Sequence, residues 1–106
     1  MTDFSLTSLE ALIAERAGAE ASASYTRQLL EAGVERCGKK FGEEAFEAVL
    51  AAALDDRDGL TKEAADVLYH LLVLLRLKGV AVDEVMAELE SRTRQSGLAE
   101  KASRRG

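Results

Sequence analysis

The chain has 106 residues, of which 47% are hydrophobic and 31% are charged, and its formal net charge is −5. This composition is typical of a single folded globular domain and excludes a disordered segment. A single cysteine, Cys37, excludes both an intramolecular disulfide framework and a multi-cysteine zinc site. We therefore expect one domain, residues 1–106, in a reducing compartment, the cytoplasm.

The charge is distributed unevenly along the chain. Residues 1–90 contain 9 Lys/Arg and 18 Asp/Glu, whereas residues 91–106 contain 5 Lys/Arg and 1 Asp/Glu. A helical body at about residues 6–95 is thus acidic, and residues 96–106 form a basic tail. An acidic body disfavours non-specific binding to nucleic acid, which needs a broad basic surface. The tail either contacts a small anionic ligand or is a solvated terminus.

The sequence contains no recognisable membrane or export segment. Residues 1–5 lack the basic stretch and apolar run of a signal peptide. Apolar runs such as Leu71–Leu75 are far too short to span a bilayer. We expect no membrane anchor.

The absence of proline and of alternating β-branched stretches predicts an all-α fold. A leucine-rich stripe predicts a first helix from about residue 6 to 17, followed by a loop over residues 18–24 of small and polar side chains. A short second helix is expected to begin at Ser24 or Thr26 and to end near Gly33.

Three longer segments complete the predicted helices. The third helix is expected over about Val34–Leu54 and the fourth over about Leu60–Lys78, with a turn at residues 55–59 and a stop at Gly79. The fifth is expected over about Val82–Thr93. On the third helix one face is predicted to point inward; its residues are Val34, Cys37, Phe41, Ala45, Ala48, Val49 and Ala52.

The segment Val67–Leu75 is apolar nearly all the way round its predicted helix. A helix of this kind is covered on several sides, and a chain this short buries a smaller fraction of its surface than a larger domain does. We therefore expect a helical bundle whose core is completed by homodimerisation.

Two acidic pairs are the most informative local feature. Glu44 and Glu47 lie three residues apart on the third helix, and Glu63 and Asp66 lie three apart on the fourth. Residues three apart share a helix face, so a short turn between the helices would bring the pairs opposite one another. Four carboxylates repel unless a cation lies between them, and Mg²⁺ prefers oxygen ligands. The alternative is that both pairs lie on the solvated faces of amphipathic helices.

Other chemistries fit the sequence poorly. His70 lies in an apolar segment, which indicates a hydrogen-bonded core histidine rather than a metal ligand. A dinuclear iron site would need Glu-x-x-His on two helices. Cys37 lies on a predicted core face, and the chain contains neither a P-loop nor a G-x-G-x-x-G motif.

Several segments together resemble a known family. They are Ser24–Thr26 with Leu29 and Gly33, Lys39–Ala45, Glu63–Leu75 and Ser96–Arg104. In this order and spacing they are similar to phosphoribosyl-ATP pyrophosphohydrolases, from about Leu6 to Arg104. That family belongs to the all-α, MazG-like nucleotide pyrophosphohydrolases, which share E-x-x-E followed by E-x-x-D and use Mg²⁺.

The resemblance implies hydrolysis of phosphoribosyl-ATP to phosphoribosyl-AMP and pyrophosphate, the second step of histidine biosynthesis. Many relatives carry the next enzyme, a cyclohydrolase, on the same chain; here we expect a separate enzyme to supply that step. Two alternatives are a house-cleaning pyrophosphohydrolase that acts on ordinary or damaged nucleoside triphosphates, and a non-catalytic helical dimerisation module.

The resemblance also implies roles for individual residues. Those expected to hold Mg²⁺ are Glu44, Glu47, Glu63 and Asp66. The attacking water would be deprotonated through the effect of the metal or by a neighbouring carboxylate such as Glu43 or Glu47. The side chains expected to contact substrate phosphates are Lys40, Lys101 and Arg104. Departures from the family pattern, such as the bulkier Phe41 and Phe46, affect packing rather than these roles.

Overall fold

The computed structural model describes residues 3–20 and 24–94. They form four helices in chain order: α1 Leu6–Ala17, α2 Tyr25–Ala53, α3 Arg57–Lys78 and α4 Val82–Thr93. No strand occurs within these residues, which confirms the all-α prediction. Over the same residues, no helix is both long enough and apolar enough to cross a membrane.

The helix ends follow local sequence signals. The Oγ of Ser5 accepts a 3.1 Å hydrogen bond from the backbone N–H of Ser8 at the start of α1. The Oγ of Ser24 accepts one of the same length from the N–H of Arg27 at the start of α2. Both bonds satisfy N–H groups that have no partner within the helix. At the C-terminal end of α3, Gly79 adopts the left-handed conformation (φ 69°) that ends the helix, as predicted.

The second and third predicted helices meet at Gly33, as predicted, and together form α2. No loop separates the two helical segments: they join at a kink at Gly33, whose φ of 89° and ψ of 179° are not helical. The thiol of Cys37 donates a 3.0 Å hydrogen bond to the carbonyl of Leu29. Residues eight apart in a straight helix are separated by about 12 Å along the axis, so this contact depends on the kink. Burial raises the pKa of the Cys37 thiol, which keeps the donor protonated.

The link between α2 and α3 is shorter than predicted. We expected a turn over residues 55–59, but α3 already begins at Arg57. The reason is that Asp56 caps the helix: its Oδ1 accepts a 2.9 Å hydrogen bond from the N–H of Gly59. Asp55 adopts a positive φ of 56° and reverses the chain direction. Helices α2 and α3 thereby form a tight antiparallel hairpin.

The buried core lies at one end of this hairpin. Helix α1 packs against α2, α3 and α4 there. The buried apolar residues of this core cluster are Ile13, Leu29, Cys37, Leu72, Val73 and Val82. They come from the N-terminal half of α2, the C-terminal half of α3 and the two short helices, so the hairpin end opposite the α2–α3 turn is the one that is covered.

The other half of the hairpin exposes apolar side chains. On α2, Phe46 is 63% exposed, Val49 63%, Leu50 45% and Leu54 77%; we call these four residues the apolar face. The prediction that Val34, Val49 and Ala52 point into the core of the protomer is therefore wrong, since all three are exposed. The radius of gyration of 16.0 Å also exceeds the about 13 Å expected for a compact domain of this length.

Helix α4 is capped by a side chain from another helix. Its N-cap residue, Ala81, has no side-chain oxygen. The Oε2 of Glu10, on α1, accepts a 2.7 Å hydrogen bond from the N–H of Val82. A carboxylate also interacts favourably with the positive end of the helix dipole. Glu10 therefore links the start of α4 to α1.

Replacing Glu10 tests this link. We expect Glu10→Ala to lower the free energy of unfolding by about 1–2 kcal/mol, because the N–H of Val82 loses a charged partner. Glu10→Gln should lower the free energy of unfolding by less, since its amide oxygen still accepts the hydrogen bond. Urea denaturation followed by circular dichroism measures both. Glu15→Ala, an exposed acid on the same helix, is the control; an equal loss in Glu15→Ala would contradict the role of Glu10.

Candidate active site

Three of the predicted acidic residues meet between α2 and α3. Glu44, Glu63 and Asp66 each offer one carboxylate oxygen, and these oxygens all lie within 4.8 Å of one another. Glu44 and Glu63 are half-buried, whereas Asp66 is exposed. The antiparallel hairpin places the two acidic pairs opposite one another, as their i, i+3 spacing predicted.

The fourth acid, Glu47, joins the cluster through Glu63. Their side chains lie in hydrogen-bonding contact, which is the largest cause of a rise in the pKa of Glu63 to about 7. Burial of the Glu63 carboxyl and repulsion from the charges of Glu47 and Glu44 raise the pKa further. Two carboxyl groups can share a hydrogen bond only if one of them keeps its proton. We call Glu44, Glu47, Glu63 and Asp66 the acidic cluster.

One oxygen of the cluster has no donor. The Oε2 of Glu63 is buried and has no hydrogen-bond partner among residues 3–20 and 24–94. A buried acceptor without a donor is costly, and a proton or a cation would remove that cost. A donor set made of carboxylates alone suits a hard divalent ion such as Mg²⁺. The cluster therefore fits the metal predicted from the sequence.

The remaining predicted site residues surround the cluster or lie beyond the described residues. Lys40 is half-buried, one turn before Glu44 on α2. Glu43 is exposed and occupies the position four residues before Glu47, so the two side chains are neighbours on the helix surface. Lys101 and Arg104 lie outside the described residues.

His70 is a core residue, as predicted. Its side chain is buried, and its Nδ1 lies 2.8 Å from the backbone oxygen of Asp66. Because a carbonyl oxygen only accepts, Nδ1 donates this bond. The Nε2 atom is also buried and has no partner within the described part of the chain. The three-residue group of carboxylates does not include this imidazole.

A pair of tyrosines beside the cluster was not singled out by the sequence analysis. The rings of Tyr25 and Tyr69 stack with a centroid distance of 6.4 Å and an interplanar angle of 17°. The hydroxyl of Tyr69 lies 2.7 Å from the Oγ1 of Thr26, and burial raises the pKa of the Tyr69 phenol. Helical spacing could not reveal a contact between residues 43 positions apart. The only signal was the presence of residues 24–26 among the segments of the family resemblance.

A family comparison agrees with this geometry. Residues 6–93 match the protein-family model for phosphoribosyl-ATP pyrophosphohydrolase. The chain belongs to this family. The matched region includes all four helices and the whole acidic cluster.

Curated relatives extend the match to nearly the full length of the chain. A protein from Agrobacterium fabrum is 57% identical over 104 residues, which cover 98% of this chain and 97% of the relative. One from Methylobacterium radiotolerans is 58% identical over 105 residues, covering 99% and 98%. One from Dinoroseobacter shibae is 58% identical over 99 residues, covering 93% and 97%. Each of the three is named phosphoribosyl-ATP pyrophosphatase.

The raised pKa of Glu63 predicts a pH-dependent stability in the metal-free protein. Its ordinary value is 4.5 and its folded value is about 7, so the folded chain binds this proton more tightly than the unfolded chain. The resulting stabilisation is complete below pH 4.5 and is lost as the pH rises to about 7. Relative to Glu63→Gln, the wild-type protein should therefore lose thermal stability across this pH range in EDTA.

Mg²⁺ should reverse that loss on the alkaline side of the Glu63 pKa, because a ligand that binds only the folded state raises its stability. Melting curves with and without Mg²⁺ would show a shift for the wild-type protein and for Glu35→Gln, an exposed acid elsewhere on α2. They should show a much smaller shift for Glu63→Gln. Equal shifts in all three proteins would contradict a metal site at the cluster.

Proposed function

We propose that this chain hydrolyses phosphoribosyl-ATP to phosphoribosyl-AMP and pyrophosphate, the second step of histidine biosynthesis. The observation that carries the proposal is the meeting of four carboxylates from two helices in a member of this family. The names of the close relatives support the choice of substrate. We place the reaction in the cytoplasm, with a separate cyclohydrolase using the product.

The acidic cluster of Glu44, Glu47, Glu63 and Asp66 would hold Mg²⁺ in this reaction. When bound, the ion offsets the negative charge of the phosphate oxygens and of the departing pyrophosphate. To act as a ligand, Glu63 has to give up the proton that its contact with Glu47 favours.

A carboxylate on α2 accepts the proton of the attacking water. The water oxygen forms a bond to one phosphorus of the α–β phosphoanhydride linkage. The bond from that phosphorus to the bridging oxygen breaks, and the bridging oxygen keeps the electron pair; it leaves on pyrophosphate when the α-phosphorus is attacked and on phosphoribosyl-AMP when the β-phosphorus is attacked. We assign the role of proton acceptor to Glu47 or to its helix neighbour Glu43; the contact of Glu47 with Glu63 in the acidic cluster supports the assignment. Glu43 is exposed and outside the cluster, so it can act as a base without being a metal ligand.

Basic side chains would hold the substrate phosphates. Lys40 lies one turn from Glu44, so its compact ammonium group is placed to reach a phosphate oxygen near the cluster. Lys101 and Arg104, from the basic tail, would contact the phosphate of the second ribose.

Direct assay tests the proposed reaction. Purified protein incubated with Mg²⁺ should release pyrophosphate from phosphoribosyl-ATP and not from ATP or dNTPs. Glu47→Ala and Asp66→Ala should abolish release, because each removes a carboxylate from the cluster, while circular dichroism shows the same helix content as the wild-type protein. Glu35→Ala, on the exposed surface of α2, should retain full activity.

The other outcomes of this assay identify the alternatives. Release chiefly from dNTPs would place the protein among house-cleaning pyrophosphohydrolases. No release from any nucleotide would favour a helical interaction module. Full activity in both cluster variants would contradict the assignment of the active site.

We also propose that the active protein is a homodimer that buries the apolar face. Its residues Phe46, Val49, Leu50 and Leu54 are between 45% and 77% exposed in the protomer. On the facing helix, Leu68 is 41% exposed in the segment that the sequence analysis expected at a dimer interface. A second copy would remove this apolar surface from water and compensate for the one-sided core.

Solution mass tests the dimer. Light scattering should give twice the 11.4 kDa protomer mass for the wild-type protein. Val49→Asp should shift the mass to that of the protomer, because a carboxylate buried without a partner at the interface is strongly unfavourable. Leu89→Asp, a comparably exposed apolar position on α4, should remain a dimer. A wild-type mass equal to that of the protomer would overturn the proposal.

A further inference from the structure

The tyrosine pair beside the acidic cluster has a fixed inner ring and an accessible outer ring. Tyr69 is half-buried, and its hydroxyl is held by Thr26 at 2.7 Å. Its ring edge also contacts the imidazole of His70, with a centroid distance of 5.1 Å. Tyr25 stacks on Tyr69 and remains 54% exposed. The outer ring is therefore supported from behind and offers aromatic surface to solvent.

The pair lies at one end of the acidic cluster. Tyr69 follows Asp66 by three residues on α3, so their Cβ atoms are separated by roughly one helical turn. Because α2 and α3 are antiparallel, the residues that precede Glu44 on α2 lie at the same end of the acidic cluster as the residues that follow Asp66 on α3. The contact of Thr26 with Tyr69 shows that the start of α2 reaches this end.

We infer that Tyr25, backed by Tyr69, is the stacking surface for the purine base of the nucleotide, whose phosphates lie at the acidic cluster. This inference rests on the proposed function for the position of the phosphates. A purine presents a flat π-face, and base stacking on an aromatic side chain contributes roughly tenfold to a hundredfold in affinity. The half-buried, hydrogen-bonded Tyr69 keeps the outer ring in place before the nucleotide arrives, which lowers the entropic cost of binding.

The composition of the chain allows a direct binding test. Tyr25 and Tyr69 are its two tyrosines, and it has no tryptophan, so its intrinsic fluorescence comes from this pair. AMP added in the presence of Mg²⁺ should quench the emission in a saturable way. Ribose 5-phosphate, which carries a sugar phosphate without the base, should not. N-acetyltyrosinamide titrated with AMP corrects for light absorbed by the nucleotide.

The kinetics of two variants distinguish the contribution of the Tyr25 ring from that of its hydroxyl. Tyr25→Leu should raise KM for phosphoribosyl-ATP by roughly tenfold while kcat changes by less than about twofold, because the lost contact holds the base and not the reacting bond. Tyr25→Phe keeps the ring and should retain the wild-type KM. Leu89→Ala, an exposed apolar position on α4, is the control and should also retain it.

The results distinguish this inference from the proposed function. Equal KM values for Tyr25→Leu and Tyr25→Phe would overturn it, as would equal quenching by AMP and ribose 5-phosphate or no quenching beyond that of N-acetyltyrosinamide. If the protein hydrolyses no phosphoribosyl-ATP but AMP quenches its fluorescence in a base-dependent way, the proposed reaction fails while the stacking surface stands.

Discussion

Repulsion within the acidic cluster is the constraint around which this structure is arranged. Helices α2 and α3 must pack closely to bury Cys37 and Val73, and the same packing forces Glu44, Glu63 and Asp66 together a few turns away. The hydrogen-bonding contact with Glu47, burial, and repulsion from the neighbouring carboxylates together raise the pKa of Glu63 to about 7. The packing of the hairpin thus concentrates negative charge between α2 and α3.

The core and the site occupy successive parts of the same hairpin. The covered end is held by α1 and α4, with Glu10 fixing the start of α4. The uncovered end carries the apolar face, and the acidic cluster lies between the two. This division keeps the carboxylates on rigid helices while leaving them reachable from solvent, and a site on rigid elements is held more precisely than one on loops. In the proposed dimer, the second copy would lie next to the cluster and would complete the apolar environment around it.

The kink at Gly33 connects the packing of the core to the surroundings of the site. It turns the first part of α2 so that Thr26 reaches Tyr69, while the second part continues along α3 to the cluster. A positive φ of 89° is open to glycine and strained for other residues. The hydrogen bond from Cys37 to Leu29 spans the kink and stabilises it from the buried side. The position of the tyrosine pair beside the cluster therefore follows from one glycine and one buried thiol.

The sequence by itself determined the all-α class, most helix ends and the meeting of the acidic pairs, because each depends on residues within a few turns or on one short connection. Only the tertiary structure decided that α2 turns at Gly33 so that Thr26 reaches Tyr69, that Glu10 caps α4, and that Tyr25 stacks on Tyr69. These features join residues far apart in the chain, and periodicity carries no information about which distant side chains meet. It also decided that Val49 faces outward, since a helical stripe shows that a face is apolar but not whether its own chain or a second copy covers it.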